Sequence, residues 1–330
     1  MEPAEREAKL RAAAELVQLS GKLAEKGQWP SFAQHLDEAM MTFDQVQADL
    51  AALGRTEASP LRSAVGAAIH EAKGQLAMRA NELAEAHFHL GTAARFRDDE
   101  QKAGGKPHPL PRGVTLLNLC SVAQRLGKLD EALAANEAAM RYLAEVEQAP
   151  GRVIFAASHQ ARGTLLTQAG RLDEALAMYD KAAAIADVLI LEDLGTGRAL
   201  KTEVLIHGAR LRAQLGRAGE ALAQVLEASE YAWQRLETSA FKDPEAASHY
   251  VTAQMNLVGF AETLGSFAQA EDALFRVLRL VGPDPRIVER GKRFYDACRT
   301  QADAALDAGN LPRDEVEESY AKLLAMVPSA

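Results

Sequence analysis

The sequence predicts an all-α protein built as an array of repeated helix pairs, and three observations carry that expectation. Alanine is abundant, and a composition of 48% hydrophobic but only 5% aromatic residues suits closely packed helices better than sheets. Runs of Val, Ile or Thr alternating with polar residues are scarce, and no Asn-Gly or Asp-Gly turn separates two such runs. The stretch "GRLDEALAMYDKAAA" at 170–184 nearly copies "GKLDEALAANEAAM", which starts 43 residues earlier at Gly127. At 330 residues the chain exceeds the usual size of one compact core, and the repetition favours an extended array.

Taking the glycine of the quoted stretch as a marker, the pattern recurs at Gly27, Asn81, Gly127, Gly170, Gly216, Gly265 and Gly309, at intervals of 54, 46, 43, 46, 49 and 44 residues. Two residues after the marker the side chain is apolar throughout: Trp29, Leu83, Leu129, Leu172, Ala218, Phe267 and Leu311. Five after it stand Phe32, Ala86, Ala132, Ala175, Ala221, Ala270 and Asp314, and twelve after it Ala39, Ala93, Ala139, Ala182, Ala228, Val277 and Ala321. Seven before it stand the mostly small Ser20, Gly74, Cys120, Gly163, Ala209, Val258 and Ala302. Gly and Asn tolerate the left-handed conformation that ends a helix, so each unit reads as helix, tight turn, helix. The small residues on both helices let the two backbones approach closely.

This pattern resembles the tetratricopeptide repeat (TPR) family, with Gly163, Gly170, Leu172, Ala175, Tyr179 and Ala182 matching most fully and Asn136 replacing an aromatic in the unit at Gly127. The resemblance implies a right-handed superhelix of about seven antiparallel helix pairs. The spacing is longer than the family's 34 residues, which implies longer helices; the second helix of the Gly170 unit reads unbroken from Leu172 to about Asp193. The expected organisation is an atypical capping region at 1–58, central repeats at 59–284 and an atypical C-terminal cap at 285–330. Proline-containing boundaries at "ASP" (58–60), "QAPG" (148–151), "FKDP" (241–244) and "VGPDP" (281–285) suit first helical turns, most of them with a Ser or Asp cap. The stretch "RDDEQKAGGKPHPLPRG" at 97–113 breaks the rhythm. Its prolines Pro107, Pro109 and Pro111 exclude a helix through them, leaving a flexible connector or a mobile loop that gates a binding surface.

In the TPR family the first helices of the pairs line a concave groove that holds peptides or partner helices. At the corresponding positions stand Asn118, Ser121, Arg125, Gln160, Thr164, His207, Arg210 and Asn256, with Glu262 a turn further on. Residues three or four apart share a helix face, so these form rows. Their amides can pair with an extended peptide backbone and their arginines with a carboxylate. The expected function is a scaffold or adaptor binding a peptide or protein. The alternatives are a peptide-sensing regulator resembling bacterial TPR receptors and an enzyme or enzyme accessory.

Catalytic motifs are missing: the sequence holds no phosphate-binding loop, no G-x-S-x-G and no H-E-x-x-H, so no catalytic residue, metal or cofactor is expected. His87 and His89 point to different faces of a helix and do not suit a shared metal. The net charge of -9 argues against a broad nucleic-acid surface. No run of 18 apolar residues suggests a membrane span, and the charged start "MEPAEREAKLR" does not read as a secretory signal, so a soluble cytoplasmic protein is expected. Cys120 and Cys298 read as buried, reduced thiols. Homo-oligomerisation stays open.

Overall fold

Fifteen helices follow one another in the computed structural model, which describes residues 1–54, 59–106, 108–192 and 195–326; among these there is no strand. They are α1 (Pro3–Glu25), α2 (Trp29–Ala52), α3 (Pro60–Arg79), α4 (Leu83–Lys102), α5 (Pro109–Arg125), α6 (Leu129–Leu143), α7 (Ala149–Gln168) and α8 (Leu172–Leu191). Next come α9 (Gly195–Gln214), α10 (Ala218–Thr238), α11 (Pro244–Thr263), α12 (Phe267–Val281), α13 (Pro285–Arg299), α14 (Asp303–Ala308) and α15 (Arg313–Ala325). Two compact units divide the chain: Met1–Leu165, with α1 to α6 and most of α7, and Leu166–Ala330, with the end of α7 and α8 to α15.

Six of the seven markers do what their chemistry suggests. Gly27, Asn81, Gly127, Gly170, Gly216 and Gly265 all have φ between 63 and 76°, and at each the next backbone N–H returns to a carbonyl near the end of the first helix, as Lys128 does to Ala123 at 2.9 Å. The residue two after each of these markers begins the second helix. Ala86, Ala132, Ala175, Ala221 and Ala270, and likewise Ala39, Ala93, Ala139, Ala182 and Ala228, are fully buried. A side chain at Gly74 would press into Leu90, which is why that contact position is empty of one.

The seventh marker is a correction. Gly309 has φ of -82°, and its neighbour Asn310 takes the left-handed conformation at 57°. Gly309 is needed for another reason: a Cβ there would stand 2.3 Å from the carbonyl oxygen of Gly265, whose turn it packs against, while the Gly309 carbonyl accepts from Ala268 N–H at 3.0 Å. The first helix of this last pair is also broken into α13 and α14, so Ala302, Asp314 and Ala321 are exposed where the repeat expects contact positions.

The stretch 97–113 is a second correction. It is helical to Lys102 and again from Pro109, because Pro109 and Pro111 occupy a first turn, where the N–H groups they lack have no intrahelical partner anyway. His108 caps that turn by accepting from Leu110 N–H at 3.2 Å. The buried Arg112 then ties α5 to α4 through Asp98 and Gln101 and stacks 4.0 Å over the Tyr142 ring. The segment is a braced corner; Pro107 lies outside the described residues. The other boundaries fall as expected, with Ser59, Asp243 and Asp284 accepting from first-turn N–H groups at 3.5, 3.0 and 2.9 Å. The Gly170 unit's second helix closes at Leu191, and Asp193 lies outside the described residues.

Each unit has its own apolar core. In the first it gathers around Leu10, Phe43, Val46 and Ile69 at one end and Leu90, Leu119, Val122 and Leu165 at the other. In the second it runs from Leu205 and Val225 through Leu257 and Leu274 to Phe294 and Tyr295. Both cysteines are buried free thiols, pushed up by burial to about 11 for Cys120 and about 12 for Cys298. Among the described residues no helix is long and apolar enough to cross a membrane.

Candidate peptide-binding surface

The packing decides which helices line an inner face. In the first unit α1 packs on α3 and α3 on α5, and in the second α9 packs on α11, besides the contacts each makes with its partner; among the described residues no two even-numbered helices meet as closely. A layer whose odd helices crowd together and whose even helices spread apart curves toward the odd ones. The odd helices α1, α3 and α5 in the first unit, and α9 and α11 in the second, therefore share one layer.

All eight expected residues stand on odd helices: Asn118, Ser121 and Arg125 on α5, Gln160 and Thr164 on α7, His207 and Arg210 on α9, and Asn256 on α11. The first five belong to one unit and the last three to the other. In the first unit Asn118, Ser121 and Gln160 are half-buried, and their side chains make no hydrogen bond to the described residues. The Thr164 hydroxyl donates to the Gln160 backbone carbonyl at 3.2 Å. Arg125 is exposed at the end of α5 and donates to the side-chain oxygen of Asn81, so it braces the preceding turn.

In the second unit the structure joins two of the three. Arg210 Nε donates to Asn256 Oδ1 at 3.2 Å, and Asn256 donates to the Thr252 carbonyl at 2.9 Å. His207 stacks on Tyr179 with ring centroids 5.7 Å apart, and burial holds its imidazole below the usual histidine range. The row continues where Arg290 of α13 donates to Glu262 of α11 at 2.6 Å, passing over Gly259. Neither Tyr179, expected only as a repeat position, nor Arg290 was among the expected groove residues. Tyr179 sits on an even helix, and Arg290 belongs to the pair whose register slips.

Another pair escaped the sequence reading. His70 and His89, 19 residues apart, meet through their Nδ1 atoms at 2.8 Å inside the first unit, with Phe96 stacked on His70. Such a contact needs one ring to donate and the other to accept, so the accepting ring at least must be neutral. Burial holds His70 down at about 4 and lowers His89 as well. Glu85 stands 3.6 Å from His89, but among the described residues no group of three or more metal-ligating side chains converges.

The fold and this surface define a repeat protein of the TPR-like class. Solved structures with the same fold include the quorum sensor NprR from B. thuringiensis in its apo form, 13% identical, with a TM-score of 0.57 over 95% of this chain and 81% of that one. Apo RapI is 10% identical with a TM-score of 0.54 over 95% and 86%. Aspartyl phosphate phosphatase F from Bacillus subtilis is 10% identical with a TM-score of 0.54 over 99% and 94%. At the level of sequence, residues 209–327 match the model of DUF6483, a family of unknown function. No curated protein matches the chain.

Proposed function

We propose that this chain is a non-enzymatic, cytoplasmic scaffold or adaptor that holds an extended peptide or protein segment along its odd-helix faces. The observation that carries the reading is the set of half-buried side chains of Asn118, Ser121 and Gln160 that make no bond to the described chain. An extended peptide offers one N–H and one C=O per residue, and each bond it makes to an amide contributes about 0.5 to 1.5 kcal/mol, so a row of such groups is what holding it requires. The eight residues Asn118, Ser121, Arg125, Gln160, Thr164, His207, Arg210 and Asn256 form the proposed contact set, and 1–58 and 285–330 the proposed caps of the array.

A second reading is a peptide-sensing regulator. It is favoured by the likeness in fold to a protein described as a quorum sensor, which spans 95% of this chain. Phosphatase F shares the fold too, and its named activity is that protein's own. A synthetic array of random dodecapeptides probed with the whole chain tests the proposal. Asn118→Ala with Gln160→Ala is expected to weaken the bound peptides by about tenfold while the circular dichroism stays unchanged, the loss of two bonds at roughly 0.7 kcal/mol each. An unchanged binding profile would overturn the proposed surface. Hydrogen exchange separates the two readings: a sensor changes its protection beyond the peptide contacts, a scaffold only at them.

A further inference from the structure

The second unit carries a cleft on the side of α11 away from the proposed peptide surface. Tyr250 and Gln254, one turn apart on α11, project opposite to Thr252, Asn256 and Gly259 at 3.6 residues per turn. They form the floor between α10 and α12, which contribute Ser229, Glu230 and Trp233 on one side and Arg276, Arg279 and Leu280 on the other. The cleft measures about 470 Å³ and lies wholly within the stretch that matches DUF6483. That volume is in the range of small-ligand sites.

Its chemistry is specific. Gln254 is 1% exposed and donates to the Ser229 hydroxyl at 2.7 Å, yet its carbonyl oxygen has no hydrogen-bond partner among the described residues. A buried acceptor left unpaired is costly unless something supplies an N–H or O–H. Trp233 and Tyr250 meet with ring centroids 5.2 Å apart and present an aromatic wall, and Trp233 also meets the Phe241 ring edge-on at 5.5 Å. Phe241 is held there with φ of 61°, a conformation that aromatic residues rarely adopt. Arg276 and Arg279, three apart on one face of α12, are exposed and meet no carboxylate among the described residues, although most arginines of this acidic chain do. Glu230 at the rim is held by Gln234 at 3.0 Å and disfavours ligands carrying more than one negative charge.

We propose that this cleft is a second binding site, for a peptide C-terminus that ends in an apolar or aromatic residue. The terminal carboxylate pairs with Arg276 and Arg279, the backbone N–H of the last residue donates to the Gln254 carbonyl, and its side chain lies on Trp233 and Tyr250. One terminal residue supplies all three groups within a few ångströms of one another. A free inorganic anion supplies only the first.

Trp233 is one of two tryptophans, so in the Trp29→Phe background its emission reports on the cleft alone. The probe is N-acetyl-leucyl-phenylalanine as the free acid, compared with its C-terminal amide and with inorganic phosphate. The acid is expected to change the emission saturably, the amide to bind at least about tenfold more weakly, and phosphate to compete only at far higher concentration. Arg276→Gln with Arg279→Gln should remove the preference for the acid, and Gln254→Met should weaken acid and amide alike. Arg11→Gln, an exposed arginine of the first unit outside both proposed surfaces, should change nothing. Equal binding of acid and amide, an unaffected double arginine variant, phosphate competing as well as the peptide, or no saturable change up to about 10 mM would each overturn the site.

Discussion

In the second unit the inner polar residues hold one another: Arg210 reaches Asn256 from α9 to α11, and Arg290 reaches Glu262 from α13 to α11. In the first unit the equivalent helices α5 and α7 carry Asn118, Ser121 and Gln160 with side chains unbonded to the described residues, and the charged Arg125 is drawn off to the turn at Asn81. The same repeat geometry thus supports two surfaces of different character. Where side chains bridge neighbouring odd helices they stiffen the stack, and a ligand must displace them. Where they stand unbonded, a peptide can be held without breaking anything.

The buried polar groups sharpen this contrast most. The first unit hides the neutral pair His70 and His89, while the second hides Glu271, which accepts from Tyr295 at 2.7 Å and whose carboxyl is pushed up by burial. With His70 held at about 4 against 6.5 when unfolded, the unfolded chain binds more protons between those values. The pair's contribution is therefore complete above pH 6.5 and is lost as pH falls toward 4. The cost at pH 4 is up to about 3 kcal/mol. Glu271 has the opposite sign: its folded form is favoured in acid and disfavoured as pH rises through its elevated value. Hydrogen exchange on the intact chain should show the helices around His70 losing protection first on acidification. His70→Gln with His89→Gln should flatten that response; an unchanged acid limb would show that the pair does not control it.

Packing should not distinguish the units. Ala182→Leu in the second and Ala93→Leu in the first both overfill a fully buried contact position, costing about 1 to 3 kcal/mol each and several degrees of Tm. Ala183→Leu, one residue along on a half-buried face, should cost much less. Equal melting temperatures for the Ala182 and Ala183 variants would refute the close-approach argument. Breaking the inner bridges comes next: Arg290→Ala should destabilise by about 0.5 to 1 kcal/mol, since Arg290 and Glu262 are only partly screened by water. Asn118→Ala should change stability by less than about 0.5 kcal/mol, because no bond within the described chain is lost. If Asn118→Ala proves the more destabilising, the contrast between bridged and open faces is wrong.

Much of this fold was legible because its determinants are local and recur. A left-handed residue, an apolar helix start two positions on, and small residues at fixed offsets all describe one turn and two adjacent helices, and Gly170, Leu172, Ala175 and Ala182 state them within thirteen residues. The failures share one cause. Gly309 reads as another helix-ending glycine, but it is glycine because the Gly265 turn packs on it from 44 residues away. Pro109 and Pro111 read as breakers because nothing nearby announces that Arg112 will brace the corner to Asp98 and Gln101. The expected groove positions were read from the repeat alone, and the sequence could not say that Arg125 is occupied by Asn81 or that Arg210 is occupied by Asn256.

By itself, then, the sequence determined the helical class, the repeat register through its first six turns, and the faces on which small side chains meet, since each follows from residues within one or two helical turns of each other. Tertiary structure alone decided which polar side chains are satisfied and which stand open, that two histidines 19 residues apart share a proton-sensitive contact, and that Tyr250, Gln254, Trp233, Arg276 and Arg279 converge on one cleft. Those facts depend on where three successive helices come to rest against one another. No periodicity along a single helix encodes that placement.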